Sequence, residues 1–267
     1  MKFELITLFP DYFRLALGQS LLGKARERRL FDIEVINLRD FATDRHRTVD
    51  DTPFGGGGGM LLKVEPLDRC LASLGYRRRG QDGPPHERER IILTSAAGAT
   101  FRQDAAVRYS LCERVTIICG HYLGVDERIL QLYEVDEVSI GDYVLTGGEP
   151  AAAVLVDAVA RLIPKVLGNF ESALEDSYMN QLLGTPSYTR PAVYEGLAVP
   201  EPLLSGNHAE IRDYRRRRAL ERALERRPDL LAAAELTDEE RAWIARRRRE
   251  QGAPPADSAG AADENEM

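Results

Sequence analysis

The segment Ser139-Ile-Gly-Asp-Tyr-Val-Leu-Thr-Gly-Gly-Glu149 decides how this chain is read. Ile140, Tyr143, Val144 and Leu145 favour extended backbone. Gly141, Gly147 and Gly148 allow positive φ or a close approach of main chain to a ligand. Glu149-Pro150 then opens an apolar run over residues 151–163, with Pro150 suited to the first turn of a helix. A strand, a glycine turn and a helix in succession mark the ligand edge of an α/β sheet. The glycine spacing matches neither of the common nucleotide-binding fingerprints, and that mismatch sets the segment apart.

Working outward, residues 2–8, 32–37, 90–94, 115–119 and 134–140 read as strands. Residues 10–17, 20–29, 65–74, 102–110 and 126–133 read as helices between them. This alternation, continued to about residue 163, predicts an α/β fold with a parallel sheet covered on both faces. Gly98, Gly120 and Gly141 each follow a strand, which brings three loops to one sheet edge. Residues 40–60, with five consecutive glycines, read as a long loop, and 77–90, with Gly-Pro-Pro and many charges, as a mobile insertion. Residues 164–191 carry little periodicity, and a connection that long is usually functional or a linker. Beyond Pro191 the pattern turns helical. Ser205-Gly-Asn-His208 can cap a helix running to Arg227, and Thr237-Asp-Glu-Glu240 is a capping box for another. From Glu250 onward the chain is rich in Ala, Pro and acids, and disorder is expected.

The 267 residues are 43% hydrophobic and 30% charged, enough for one large domain or two modest ones. No apolar run approaches the ~20 residues that cross a bilayer, and MKFELITLFP reads as a strand rather than a signal peptide. Cys70, Cys112 and Cys119 form no CxxC pair and are odd in number, which argues against a disulfide framework or a zinc site and fits a cytoplasmic protein. The net charge of −7 hides a local excess of base: residues 212–227 hold eight arginines against three acids. Such a run suits a polyanion, although a solvated helix face has the same pattern. A dinucleotide GxGxxG is absent. Gly18-Gln-Ser-Leu-Leu-Gly-Lys24 has phosphate-loop spacing, but Ala25 stands where Ser or Thr would hold magnesium. The histidines, His46, His86, His121 and His208, are scattered, and no metal site is expected.

Three further stretches carry polar chemistry. Asp44-Arg-His-Arg-Thr-Val-Asp-Asp51 leads into Phe54 and the glycine loop up to Met60. Cys119-Gly-His-Tyr-Leu-Gly-Val-Asp-Glu-Arg128 joins a strand to a glycine turn and an acidic helix start. Glu171-Ser-Ala-Leu-Glu-Asp-Ser-Tyr178 offers carboxylates in the unstructured connection. In this order, and with Leu8-Phe-Pro10, Arg39-Asp-Phe41, Ile163-Pro164, Val166-Leu-Gly168, Glu175-Asp-Ser177, Tyr188-Thr-Arg-Pro191 and Leu204-Ser-Gly-Asn-His208, they are highly specific. The chain resembles the bacterial tRNA (guanine-N1)-methyltransferase family, of the TrmD type in the SPOUT superfamily, over roughly residues 1–245.

The resemblance implies a deep trefoil knot at the C-terminal end of a SPOUT-like domain, a feature that the general rule against knotted chains would not suggest. It implies a knotted domain over 1–167, a linker with the catalytic Asp over 168–191, a small helical tRNA-binding domain over 192–249 and a tail over 250–267. It implies S-adenosylmethionine as methyl donor, bound by Thr94, Ser95, Gly120, Tyr122, Ile140, Gly141, Asp142, Tyr143, Val144, Leu145, Gly147 and Gly148, and it admits Mg2+. A donor without phosphates would account for the unusual glycine spacing. Asp176 is the implied general base at guanine N1, and Arg161 the cation that stabilises charge on O6. Arg45, His46, Arg47, Arg212 and Arg215 are implied tRNA contacts. A homodimer with shared sites, and N1 of guanosine 37 as target, complete the expectation. Leu123 departs from the family's usual Glu, His121 from Arg, Ala96 and Gly58 from Pro, and Gly184 from an acid. A catalytically silent tRNA-binding protein and a knotted methyltransferase with another RNA target stay open as alternatives.

Overall fold

The computed structural model describes residues 1–82, 87–168 and 176–250. The chain divides into two compact units, Met1–Phe170 and Glu171–Met267. The first begins with β1 (Lys2–Thr7), α1 (Pro10–Ala16), α2 (Ser20–Glu27) and β2 (Asp32–Asn37), followed by a 3-10 turn, Leu38–Phe41. After β3 (Asp50–Asp51), β4 (Leu61–Leu62) and α3 (Val64–Ser73) come β5 (Glu89–Thr100), α4 (Gln103–Ser110) and β6 (Arg114–Cys119). The unit closes with α5 (Arg128–Leu132), β7 (Val135–Ser139) and α6 (Glu149–Ala160). The expected parallel sheet is present: five strands in the order β2-β1-β6-β5-β7, with every neighbouring pair parallel.

Parallel strands buried on both faces need near-continuous apolar sequence. Val115, Ile117, Ile118 and Cys119 of β6, all buried, supply it. One face packs Ile6, Leu38, Leu67, Leu71, Ile118, Ile129 and Tyr133 into a single cluster. Glu4 interrupts β1 with a buried carboxylate, which accepts from Thr116 Oγ1 at 2.7 Å and pairs with Lys2 Nζ at 2.9 Å. A buried charge is tolerable only with such partners.

Two close approaches shape the ligand edge. β5 pairs with Val138 at Thr94 and again at Ala99, so residues 95–98 leave the sheet and return to the same point. A Cβ on Gly98 would lie 2.4 Å from Val138 N, and only glycine permits that return. Gly148 precedes α6, and a Cβ there would lie 2.0 Å from Thr94 Oγ1 and 2.8 Å from Gly120 N. The middle of β5 at Thr94, the end of β6 and the start of α6 therefore meet.

Three local expectations change. The helix expected over 126–133 is only α5, because Asp126 accepts from Arg128 N at 3.0 Å and pairs with its guanidinium, fixing a turn before the helix. The loop over 40–60 is divided, because β3 pairs antiparallel with β4 and closes off residues 52–60. The insertion over 77–90 is anchored at its start: Arg78 pairs with Asp68 at 2.5 Å and Arg79 Nε donates to Tyr133 O at 3.0 Å. Its residues 83–86 lie outside the described residues.

In the second unit β8 (Val193–Tyr194) and β9 (Leu197–Ala198) form a hairpin, followed by a 3-10 turn, Glu201–Leu203. Then come α7 (His208–Arg226), α8 (Leu230–Ala233) and α9 (Asp238–Glu250). The hairpin corrects the helical reading just beyond Pro191. Glu195 and Gly196 both take positive φ, 48° and 80°, as a type I′ turn requires. Both expected caps form. Asn207 Oδ1 accepts from Ala209 N at 3.1 Å, and Thr237 and Glu240 exchange bonds of 2.9 and 3.2 Å. Leu182, Leu220, Ala223, Leu231 and Ile244 make the core. Residues 176–191 of the expected linker join this unit through buried Leu182 and through Gly184 O, which accepts from Arg222 at 2.7 Å. Residues 169–175 and the expected disordered tail beyond Glu250 lie outside the described residues.

Candidate active site

The irregular stretch of β5 beyond Thr94, the turns after β6 and β7 and the start of α6 enclose a cleft of about 450 Å3. Of the residues expected to touch a donor, Thr94, Ser95, Gly120, Tyr122, Ile140, Gly141, Tyr143, Val144, Leu145, Gly147 and Gly148 line it. Asp142 does not. Tyr143 N donates to Gly141 O at 2.9 Å, which leaves Asp142 exposed at the apex of a tight turn. Thr94 is the hub of the hydrogen bonds beneath the cleft. Its hydroxyl donates to Ile118 O at 3.1 Å and accepts from Gly120 N at 3.3 Å, while Gly148 N donates to Gly120 O at 2.7 Å. Ser139 Oγ accepts from Gly141 N at 3.2 Å and holds the third turn.

Sequence reasoning missed several groups here. Glu149 is buried and accepts from Thr7 Oγ1 at 2.7 Å, which joins α6 to the end of β1. His121 pairs by backbone with Gly147, and its ring lies 5.1 Å from Phe9 and 4.8 Å from Tyr122. The neighbouring Asp50 carboxylate raises the pKa of the Tyr122 phenol above the ordinary tyrosine value. Leu123 N donates to Met60 O, and Leu62 N to Gly124 O, both at 3.1 Å, and Asp126 N donates to Leu62 O at 2.9 Å. The second turn is thus stitched to the end of the glycine loop. Only the density of polar residues over 44–51 hinted at this.

The charge of the cleft is one-sided. Glu127 and Glu137 line it, and no Lys or Arg does. An anionic phosphate would find no countercharge among these residues, whereas a cation would. Main-chain groups at the three turns and the apolar Ile140 and Leu145 suit a flat heterocycle.

The family model for tRNA (Guanine-1)-methyltransferase TrmD matches residues 1–233. The chain belongs to this family. It is 50% identical over 240 residues to a tRNA (guanine-N(1)-)-methyltransferase of Limosilactobacillus fermentum, covering 90% of this chain and 93% of that one. A protein of the same description from Geobacter sulfurreducens is 49% identical over 250 residues, covering 94% and 99%. A third, from Geotalea uraniireducens, is 50% identical over 244 residues, covering 91% and 96%.

The remaining residues that the resemblance implied divide between the units. Arg161 stands just past α6 in the first, its N–H donating to Asp157 O at 3.2 Å. Asp176 belongs to the second, where it lines a separate cleft of about 780 Å3 with Ser177, Tyr188, Arg190, Arg215 and Arg222. Arg215 and Arg212 both ride on α7, and of the two only Arg215 lines that cleft. Arg45, His46 and Arg47 sit exposed on a turn built by Asp44, which accepts from His46 N at 3.0 Å and Thr48 N at 2.9 Å. The Thr48 hydroxyl and these amides hold the Asp44 carboxyl below the usual carboxylate range. Arg47 is paired with Asp40 at 3.0 Å. Among the described residues no three of His, Cys, Asp and Glu gather to hold a metal ion, and no helix is long and apolar enough to cross a membrane.

Proposed function

We infer that this tRNA (guanine-N1)-methyltransferase uses S-adenosylmethionine held in the first unit's cleft and methylates N1 of guanosine 37, 3′ of the anticodon. The observation that carries the donor assignment is the cleft's chemistry: three main-chain turns, Ile140 and Leu145, two acids, and no Lys or Arg among the described lining residues. That lining fits a cationic donor without phosphates. When bound, S-adenosylmethionine supplies an electrophilic methyl group on a sulfonium.

What the chain must add is a nucleophile. Guanine N1 carries a proton that is hardly acidic at neutral pH, so the carboxylate of Asp176 takes it as general base, a role worth roughly 10²–10⁴ in rate. Charge then builds on O6, where the guanidinium of Arg161 stabilises it. The exposed Arg45, His46 and Arg47, with Arg212 and Arg215 on α7, grip the tRNA backbone and position the target. The base has to leave its stack to be reached.

We assign the SPOUT-type knot to the first unit, supported by family membership and by the tight passage at Gly98 and Gly148. A homodimer is assigned as well. Phe9, Tyr12 and Leu15, at 48%, 41% and 72% exposure, leave apolar area along α1 that a second copy would bury. In that dimer the base and the arginine come from different subunits. Three free thiols, Cys70, Cys112 and Cys119, fit a reducing cytoplasm.

The test is methyl transfer from labelled S-adenosylmethionine to a tRNA transcript with guanosine at position 37. Label is expected in N1-methylguanosine at that site. No incorporation overturns the enzyme reading, and label at another nucleotide overturns the target.

A further inference from the structure

One aromatic side chain near the cleft takes no part in donor binding or proton transfer. Phe54 is wholly exposed, at 103% of the reference area, and heads the run Gly55 to Gly59. Gly55, Gly56, Gly57 and Gly59 take positive φ. At Gly55, Gly56, Gly57 and Gly58 a Cβ would meet nothing within 4 Å, so this stretch stands clear of the rest of the chain. A phenyl ring placed there forgoes the stabilisation that burial would give it.

The base of the loop, by contrast, is fixed to the cleft. On one side Asp50 and Asp51 are paired with Leu62 and Leu61 as β3 meets β4. On the other, Met60 O accepts from Leu123 N, and Leu62 is bonded to Gly124 and Asp126. Gly59 itself lies against the Leu123 side chain, since a Cβ there would come within 3.1 Å of it. Tyr122, Leu123 and Gly124 all line the cleft. The loop therefore springs from the cleft's rim with both stems tied and its aromatic head free. Just upstream the same segment presents exposed Arg45 and His46.

An unburied aromatic ring, cationic side chains and open glycine backbone at the rim of a reaction cleft are the means by which proteins hold unstacked nucleotides. The geometry points to Phe54 as a substrate-positioning residue that stacks on a nucleobase beside the target guanosine, in the space that guanosine leaves when it swings out. The glycines let the ring reach it, and the stitching to Leu123 and Gly124 keeps the ring in register with the cleft. This rests on the tRNA-methyltransferase reading above.

The experiment compares wild type with Phe54→Ala, Phe54→Tyr and Phe54→Trp, the last in a Trp243→Phe background because Trp243 is the sole tryptophan. With unmodified tRNA transcript below saturation, Phe54→Ala is expected to slow single-turnover methyl transfer about tenfold to a hundredfold, the range of one lost base–aromatic stack. Phe54→Tyr should restore transfer, and S-adenosylmethionine affinity should be the same in all variants. Indole emission from the Phe54→Trp variant should be quenched when tRNA binds. Wild-type transfer by Phe54→Ala, or no quench on tRNA binding, overturns the proposal. So does an emission change that follows protein concentration without RNA, which would put Phe54 against a second copy of the chain. A wild-type chain that transfers no methyl would instead overturn the enzyme reading, and the quench would still decide the role of Phe54.

Discussion

At the scale of single residues, the hydroxyl of Thr94 and the missing side chain of Gly148 occupy one small space. Thr94 Oγ1 bonds to both Ile118 and Gly120 and lies 2.0 Å from where a Gly148 Cβ would be. Gly148→Ala must push the start of α6 away from β5 and β6, because the obstacle is a bonded hydroxyl and backbone rather than a flexible tip. We expect it to weaken S-adenosylmethionine binding by at least about tenfold, the effect of a displacement of roughly 1 Å at a positioned site. Calorimetric titration measures this, and unchanged affinity would show that the close approach does not matter for the donor. Asp176 calls for a different outcome. Asp176→Asn keeps the shape and removes the base, so donor affinity should hold while single-turnover transfer falls roughly 10²–10⁴-fold. A wild-type rate in that variant would put the base elsewhere.

At the scale of elements, the start of α9 shows how one carboxylate serves two purposes. Glu240 accepts from Thr237 N at 2.9 Å as part of the capping box and from Arg216 Nε on α7 at 2.7 Å. The Arg216 guanidinium holds its carboxyl below the ordinary value of 4.5. A depressed acid contributes stability above its unfolded pKa and loses it as pH falls through the lower folded value. Glu240→Gln should therefore destabilise the chain by roughly 2 kcal/mol at pH 7, as for a lost charged hydrogen bond. The deficit should shrink below pH 4.5 and vanish in stronger acid, and urea melts at several pH values would check it. A deficit independent of pH would mean that shape, not charge, accounts for it. This capping box was legible in the sequence because a cap is a local pattern of four residues. So were the five sheet strands, by apolar runs as in β6 or by alternation as in β2. The hairpin at β8 and β9 was not, since two-residue strands carry no periodicity and only Glu195-Gly196 marked the turn. The cleft was legible in part. Its glycine turns stood out in sequence, but the acids Glu127 and Glu137 join it only once β5, β6 and β7 lie side by side.

At the scale of the whole molecule, the assigned dimer has a consequence that a monomeric enzyme could not imitate. If each site takes Asp176 from one subunit and Arg161 from the other, mixing inactive Asp176→Asn with inactive Arg161→Ala should restore activity. In a mixed dimer one site carries both changes and the other carries neither. Free reassortment then returns about a quarter of the wild-type sites, as two-fold symmetry dictates. No recovery after exchange, or a monomeric mass by light scattering at micromolar concentration, would rule out the shared site. The bond between Thr7 and Glu149 sets another condition, this one in time. Its partners are 142 positions apart, one at the start of the first unit and the other where the cleft ends. A ribosome adding about 5–20 residues per second delivers the second partner on the order of ten seconds after the first. Until then the first strand waits without its last neighbour, and the cleft lacks a wall. On the proposed donor assignment, a nascent or truncated chain ending short of Glu149 should not compete for the cell's S-adenosylmethionine, since the cleft's last wall comes only with that residue.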